Sequence, residues 1–239
     1  MKFVISVTIW LIGGILTIAL FFVVLLVTVI LLPFDKKRKF SHAQCFWWAN
    51  IIIFINPYWK LKIRGLDNID SRKAYVIVAN HQSLADIIIL YKTHMQFKWV
   101  AKESLFKVPF IGWNLSLIKH IKLLRGNFGS IKKVYRDAIQ WLRRDVSVLF
   151  FPEGTRSDSD ELNKFQNGAF KIAIKEKKPI LPIQIVGTRE VIAKGSWFFN
   201  PNVSGGLTVL PPIDTTGLKI SDFARLRDTV YGKFKAVQS

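Results

Sequence analysis

Residues 74–86 read AYVIVANHQSLAD. The first six, Ala74–Ala79, are rich in β-branched side chains and bounded by charged and polar residues, the pattern of a buried strand. Asn80–Ser83 interrupt the run, and Leu84–Tyr91 resume it as a helix. A buried strand that passes through a short polar loop into a helix is the unit of an α/β fold, and such folds collect ligands at the carboxyl ends of their strands. The polar residues of this loop therefore stand where a site is expected.

Outward from this unit the alternation continues. Ile121–Leu124 is a second short strand candidate. Residues 130–143 place Ile131, Val134, Tyr135, Ala138, Ile139 and Leu142 on one face, which is helical spacing. Val146–Phe151 reads as a buried strand, residues 167–177 as a helix with Phe170, Ala173 and Ile174 inward, and Ile180–Val186 and Leu207–Leu210 as further strands. Residues 221–236 form an amphipathic helix through Phe223, Leu226, Val230 and Phe234, with Ser221 as its cap. The expected fold is α/β, a mostly parallel mixed sheet flanked by helices, over residues 60–239. No internal repeat, low-complexity tract or glycine-rich nucleotide loop interrupts it.

Residues 1–59 are different. Residues 3–32 carry no charge, and 30 residues are more than the roughly 20 a helix needs to cross a bilayer core. A signal peptide has an apolar core of only about 7–15 residues and a small-residue cleavage site, so this run reads as a retained anchor. Gly13–Gly14 is either a bend or a packing surface. A second uncharged stretch, residues 40–59, is interrupted by His42, Gln44, Asn50 and Asn56, and its Trp47, Trp48, Tyr58 and Trp59 suit the headgroup level. The two segments are expected to form an N-terminal apolar two-helix membrane anchor.

The chain as a whole carries 35 Lys/Arg against 16 Asp/Glu, a net charge of +19, yet half its 239 residues are hydrophobic and its mean hydropathy is +0.26. That richness in apolar residues excludes a disordered basic tail. Residues 1–59 hold five of the basic residues, four of them in Lys36–Lys39, and one acid, so the loop and the following domain are both basic. The positive-inside rule prefers both on one side of the membrane, so residues 40–59 are expected to lie in the interface or re-enter rather than span. The single cysteine, Cys45, excludes an intramolecular disulfide and any cysteine-cluster metal site.

Four short constellations carry the chemistry. In Asn80–Asp86 a histidine and an aspartate straddle a strand–loop–helix junction. A neutral imidazole can take a hydroxyl proton near neutral pH, and a carboxylate beside it can hold the productive tautomer. Ser83-x-x-Asp86 equally has the form of a capping box. Phe151–Ser157 follows a hydrophobic strand. Gly154 allows close backbone approach, Arg156 and nearby N–H groups suit a phosphate, Thr155 and Ser157 add hydroxyls, and Glu153 can accept from a substrate hydroxyl. A surface turn with a Glu–Arg pair fits the same residues. Arg125 ends a strand, as a site residue or a solvated one. Pro182 lies in a strand-like run and marks an edge or an irregularity, because proline is disfavoured in a central strand. His42 and His120 are isolated along the chain. No histidine–carboxylate cluster has zinc spacing, so no metal is expected. No Gly-x-Ser-x-Gly elbow is present, which leaves Ser83 a poor acyl-enzyme nucleophile.

The order of these blocks resembles the glycerolipid acyltransferase family, specifically the 1-acyl-sn-glycerol-3-phosphate acyltransferases. Asn80-His81-x4-Asp86, Arg125, Phe151–Ser157 and Leu181–Pro182 occur in sequence, and the resemblance covers about residues 60–215. The chain departs at Leu124, where the family often has an acidic or small polar residue, and at Gln166, where lysine is frequent. The resemblance implies acyl transfer from acyl-CoA or acyl-acyl carrier protein to the sn-2 hydroxyl of lysophosphatidic acid, giving phosphatidic acid in phospholipid biosynthesis, with no cofactor. It implies His81 as general base and Asp86 as its orienter. Arg125, Glu153, Gly154, Thr155 and Arg156 would hold the glycerol phosphate, Lys102 would support an oxyanion, and Pro182 would shape the acyl or thioester channel. The implied setting is a membrane, a bacterial inner membrane, with the catalytic domain on the cytoplasmic face and membrane lipids as partners.

Two rivals remain. One is an enzyme of the same family acting on another lysolipid or on glycerol 3-phosphate. The other is a membrane-anchored basic tether for nucleic acid or an acidic partner. The basic charge is read as attraction to anionic lipid and an anionic donor, with nucleic acid not expected.

Overall fold

The computed structural model describes residues 2–56, 59–157, 161–192, 195–200 and 202–238. Tyr58, expected at the headgroup level, lies outside them. The elements are α1 (Lys2–Ile30), α2 (Lys39–Phe54), β1 (Trp59–Arg64), β2 (Val76–Ala79), α3 (Ala85–Leu90), β3 (Phe97–Lys102), α4 (Ile111–Leu117), β4 (Ile121–Leu123), α5 (Phe128–Arg143), β5 (Ser147–Phe150), α6 (Gly168–Glu176), β6 (Ile180–Val186), β7 (Val203–Val209) and α7 (Phe223–Gln238).

Among the described residues the strands form one sheet in the order β1-β7-β6-β2-β5-β3-β4. β6, β2, β5, β3 and β4 all run parallel, β7 is antiparallel to β6, and β1 is parallel to β7. The expected mostly parallel mixed sheet flanked by helices is what the structure has. Successive residues of a strand face opposite layers. Val76 and Val78 face α5, α6 and α7 through Val134, Ala138, Phe170, Ala173, Val230 and Phe234. Tyr75, Ile77 and Ala79 face the other layer, made by α1, α2 and α3.

Three elements escaped the sequence reading. β1 (WKLKIR) alternates in and out, and its Lys60, Lys62 and Arg64 defend a sheet edge. β3 is disguised by Lys98, a charged residue type that is fully buried. α4 has only seven residues, one of them glycine. β7 begins earlier than expected because Gly205 and Gly206 look like breakers. They are needed there, since a Cβ on Gly206 would strike the Lys62 carbonyl and one on Gly205 the Val186 carbonyl.

Two local expectations are settled. Pro182 marks an irregularity and not an edge, for β6 is an internal strand. Pro182 is tolerated in it because its nitrogen faces the interrupted part of the ladder between Val209 and Ile213, while its carbonyl still accepts from Leu210 N at 2.9 Å. Ser221 does not cap α7. It sits inside a 3₁₀ turn, Ile220–Asp222, and the Asp222 carboxylate ties the Lys219 N–H at 2.8 Å.

The N-terminal residues form a helical hairpin. α1 has 29 residues, about 44 Å of helix, and runs unbroken through Gly13–Gly14. Gly13 is a packing surface, with a Cβ there lying 3.8 Å from Ile52 of α2. Asp35 caps α2 by accepting from the N–H groups of Lys39, Phe40 and Ser41. By length and composition α1 is able to cross a membrane, and its Phe3, Leu11, Ile15, Phe22, Leu26 and Val29 are exposed. α2 is shorter and half committed to the protein. Its Cys45 and Ala49 share a core cluster with Leu20 and Val24 of α1 and with Ile77 and Leu181 of the sheet. Phe40, Trp47 and Phe54 of α2 are exposed. Trp59 is buried with Val191 and Val203, so it is core rather than a headgroup contact.

Candidate active site

Five parallel strands end along one edge of the sheet. In sheet order they deliver the Thr188 loop (β6), the Asn80–Asp86 loop (β2), the Phe151–Ser157 loop (β5), Lys102 (β3) and Arg125 (β4). Loops distant in sequence thus meet because their strands are neighbours.

His81 is held at every level. Its neighbour Asn80 is buried and grips the Ile185 peptide of β6 with both ends of its amide, at 2.8 and 2.7 Å. The His81 N–H donates to Glu153 Oε1 at 2.7 Å, and its carbonyl accepts from Ser157 N at 2.8 Å. The ring stacks on Phe151, with centroids 4.1 Å apart. Nδ1 lies 2.7 Å from Asp86 Oδ2.

Asp86 stands in the first turn of α3 and is 0% exposed. Its Oδ2 also accepts from the N–H groups of Gln82 at 2.7 Å and Ser83 at 2.9 Å. Its Oδ1 accepts from the Thr188 hydroxyl. Four donors converge on one carboxylate, three on Oδ2 and one on Oδ1. Only half of the capping box forms: the Asp86 carboxylate takes the Ser83 N–H, while the Ser83 hydroxyl lies 3.4 Å from Ala85 N, and the same Oδ2 faces the imidazole. Against an ionised carboxylate, the neutral form of the ring carries its proton on Nδ1, which leaves the lone pair on Nε2. The His81 side chain is 17% exposed.

Glu153 is buried, and both its oxygens serve backbone groups, Oε1 on His81 N and Oε2 on Asn163 N at 2.9 Å. Burial pushes its carboxyl above the ordinary range, partly offset by those two N–H donors and by His81. Gly154 adopts a φ of 71°, which favours glycine, and its N–H closes a turn on the Phe151 carbonyl. Thr155 is exposed and Arg156 half-buried.

A family model described as Acyltransferase matches residues 60–186, more than half of the chain. The chain belongs to the acyltransferase family. It is 37% identical over 190 residues to 1-acyl-sn-glycerol-3-phosphate acyltransferase BAT2, chloroplastic, of Brassica napus, covering 78% of this chain and 54% of that protein. It is 38% identical over 167 residues to 1-acyl-sn-glycerol-3-phosphate acyltransferase LPAT1, chloroplastic, of Arabidopsis thaliana, covering 69% and 46%. The chain thus spans about half the length of these curated relatives. Among solved structures, the crystal structure of the 1-acyl-sn-glycerophosphate (LPA) acyltransferase PlsC from Thermotoga maritima is similar, with a TM-score of 0.83 and 27% identity. The match covers 100% of this chain and 96% of that one.

The structure does not bring all the named residues of this acyltransferase-family chain into contact. Arg125 and Lys102 are exposed, and strands β4 and β3 lie three and two places from β2, about 14 and 10 Å along the edge. Pro182 is buried in mid-strand, short of the strand end where the others gather. Sequence reading missed Thr188. Its signal was available, since Gly187-Thr188 directly follows the buried β6 run on the edge where α/β sites form.

Proposed function

We propose that this chain is an enzyme that transfers an acyl group from acyl-CoA or acyl-acyl carrier protein to the sn-2 hydroxyl of lysophosphatidic acid, forming phosphatidic acid. The observation that carries the reading is the dyad at the loop-bearing edge: a buried carboxylate with four donors, one of them His81 Nδ1, beside a ring whose Nε2 has no partner among the described residues. His81 Nε2 takes the hydroxyl proton as the oxygen attacks the thioester carbonyl. The tetrahedral oxyanion collapses, the C–S bond breaks, and the thiolate leaves with the proton returned by the imidazolium. The reaction balances without a cofactor or a covalent enzyme intermediate. Arg156, with the Gly154–Thr155 backbone, is the cation we assign to the acceptor phosphate, because its loop abuts His81 through Glu153 and Ser157. Arg125 and Lys102 line the same edge farther out, where they supply field rather than contact.

The hairpin supports a lipid acceptor. Trp10 of α1 donates to the Trp197 carbonyl at 2.8 Å, and Phe21 packs on Phe110 and Trp113. Those residues belong to segments that follow β6 and β3, so the apolar helix runs beside the loops of the catalytic edge. In this reading α1 holds the protein on the membrane, with the catalytic domain on the cytoplasmic face, and the net +19 attracts anionic lipid and donor.

The test is an assay of purified protein in mixed micelles. Lysophosphatidic acid, lysophosphatidylcholine and glycerol 3-phosphate are compared as acceptors, each with acyl-CoA and with acyl-acyl carrier protein. Phosphatidic acid formed from the first is the expected result, and activity on the other two alone would overturn it.

A further inference from the structure

The loop after β6 reaches across to the dyad. Thr188 is 0% exposed and its Oγ1 lies 2.5 Å from Asp86 Oδ1, and 3.2 Å from Gln82 Oε1. A hydroxyl has one proton, and the shorter contact to the carboxylate takes it. The backbone is shaped to deliver this group. Gly187 sits at a φ of 78°, and a Cβ there would strike the Ser204 carbonyl of β7. The two strands involved are also clamped, because Asn80 locks the β2 loop onto the Ile185 peptide, three residues before Thr188.

We propose that Thr188 is a positioning residue for the His81–Asp86 dyad. Its hydroxyl fixes Asp86 Oδ1, so that Oδ2 stays on His81 Nδ1 and on the start of α3. The Asp86 backbone ties alone do not achieve this, since Gln82 and Ser83 both hold Oδ2 and leave Oδ1 to Thr188. A carboxylate anchored through one oxygen turns more freely about its own axis than one anchored through two. The role rests on the general-base reading above, and it places the contribution of β6 just past the strand, at Gly187–Thr188, beyond the Leu181–Pro182 block.

Thr188→Val keeps the shape and removes the donor. The expected loss in kcat is about 10–100-fold, the value of one charge-assisted hydrogen bond, with the acceptor KM within about twofold. The acidic limb of the kcat/KM profile moves to higher pH. A buried carboxylate robbed of a donor either takes up a proton more readily or grips the imidazolium more tightly, and both remove the working form at higher pH. Thr188→Ser restores the hydroxyl and should restore both readouts. Should the valine variant fail to melt cooperatively, Thr188→Ala carries the same test against Thr188→Ser. Normal kcat with an unmoved acidic limb, or a serine variant as impaired as valine, overturns the proposal. His81→Ala is run beside them. If it stays active, the general-base reading itself fails. If it is inactive while Thr188→Val is normal, only the role of Thr188 fails.

Discussion

The two ends of the parallel strands both hold histidines, and they treat them in opposite ways. At the carboxyl edge His81, its side chain 17% exposed, has a buried aspartate on Nδ1. At the amino edge His42 and His120 stand with ring centroids 5.9 Å apart, each accepting from one backbone N–H, of Phe97 at 3.5 Å and Trp99 at 3.2 Å. Their other nitrogens, His42 Nδ1 and His120 Nε2, have no partner among the described residues. Between these elements Lys98 is 0% exposed, donating to the Ile118 carbonyl at 2.7 Å above the Trp141 ring. Burial pulls Lys98 down to about 7, with Asp35 working against the shift, and holds His120 well below the ordinary histidine value. The proposed site is thus marked by a carboxylate partner and partial exposure, not by the presence of titratable groups. The amino edge has groups that titrate and nothing that orients them toward a substrate.

The largest effect that tests this contrast is His81→Ala. Loss of the proposed general base should lower turnover about 10²–10⁴-fold while the melting profile and vesicle binding remain. Turnover near that of the wild type would erase the distinction between the two edges. Next is Lys98→Met. A lysine depressed from 10.5 to about 7 is less protonated in the folded protein than in the unfolded chain between those values. The unfolded state then binds more protons, so stability should rise as pH climbs from about 7 toward 10. Methionine should flatten that rise, by up to a few kcal/mol across the range, and leave stability at pH 7 equal or higher. Denaturant midpoints at pH 7, 8.5 and 9.5 read this directly, and parallel curves for the two proteins would contradict it.

Glu153→Gln probes the carboxyl edge in the same way with the opposite sign. Burial raises this carboxyl, so the folded protein keeps the proton to higher pH than the unfolded chain does. That part of the stability is present at low pH and lost as pH rises above the ordinary carboxylate range. The amide removes the slope. It also sets an NH₂ against one of the two backbone donors, His81 N or Asn163 N, at a cost of about 1–3 kcal/mol. Activity should fall less than in His81→Ala, because Ser157 N still holds the His81 carbonyl.

The contrast also explains what was legible in the sequence. His81 and Asp86 are five residues apart, and their contact is made within one loop and one helical turn, so their spacing already contains the geometry. β2, β5 and β6 are short, predominantly apolar runs and were readable for the same local reason. Thr188 touches Asp86 from 102 residues away, and His42 meets His120 only because α2 docks beside β3 and β4. Pairings of that kind depend on strand order, which no window of sequence records. Lys98 hid β3 by being a buried cation, and Gly205–Gly206 hid half of β7 by being small for a reason found only across the ladder.

The smallest expected effect is His42→Phe, and it is the control that gives the first its meaning. The swap removes a buried N–H that has no partner among the described residues and also removes the acceptor of a long contact with Phe97 N, 3.5 Å. A donor relieved and a weak acceptor lost nearly cancel, and the new ring joins Phe46, Tyr91 and Phe97, which already pack edge-on or stacked around the position. Stability should change by less than about 1 kcal/mol and turnover by less than about twofold. A melting shift several times larger would mean that the unpaired His42 nitrogen holds an internal water in solution, and that the amino edge is satisfied in its own way. A fall in turnover without a melting shift would mean that the hairpin transmits its packing to the loops beside Trp10 and Phe21, and the two edges would have to be treated as coupled.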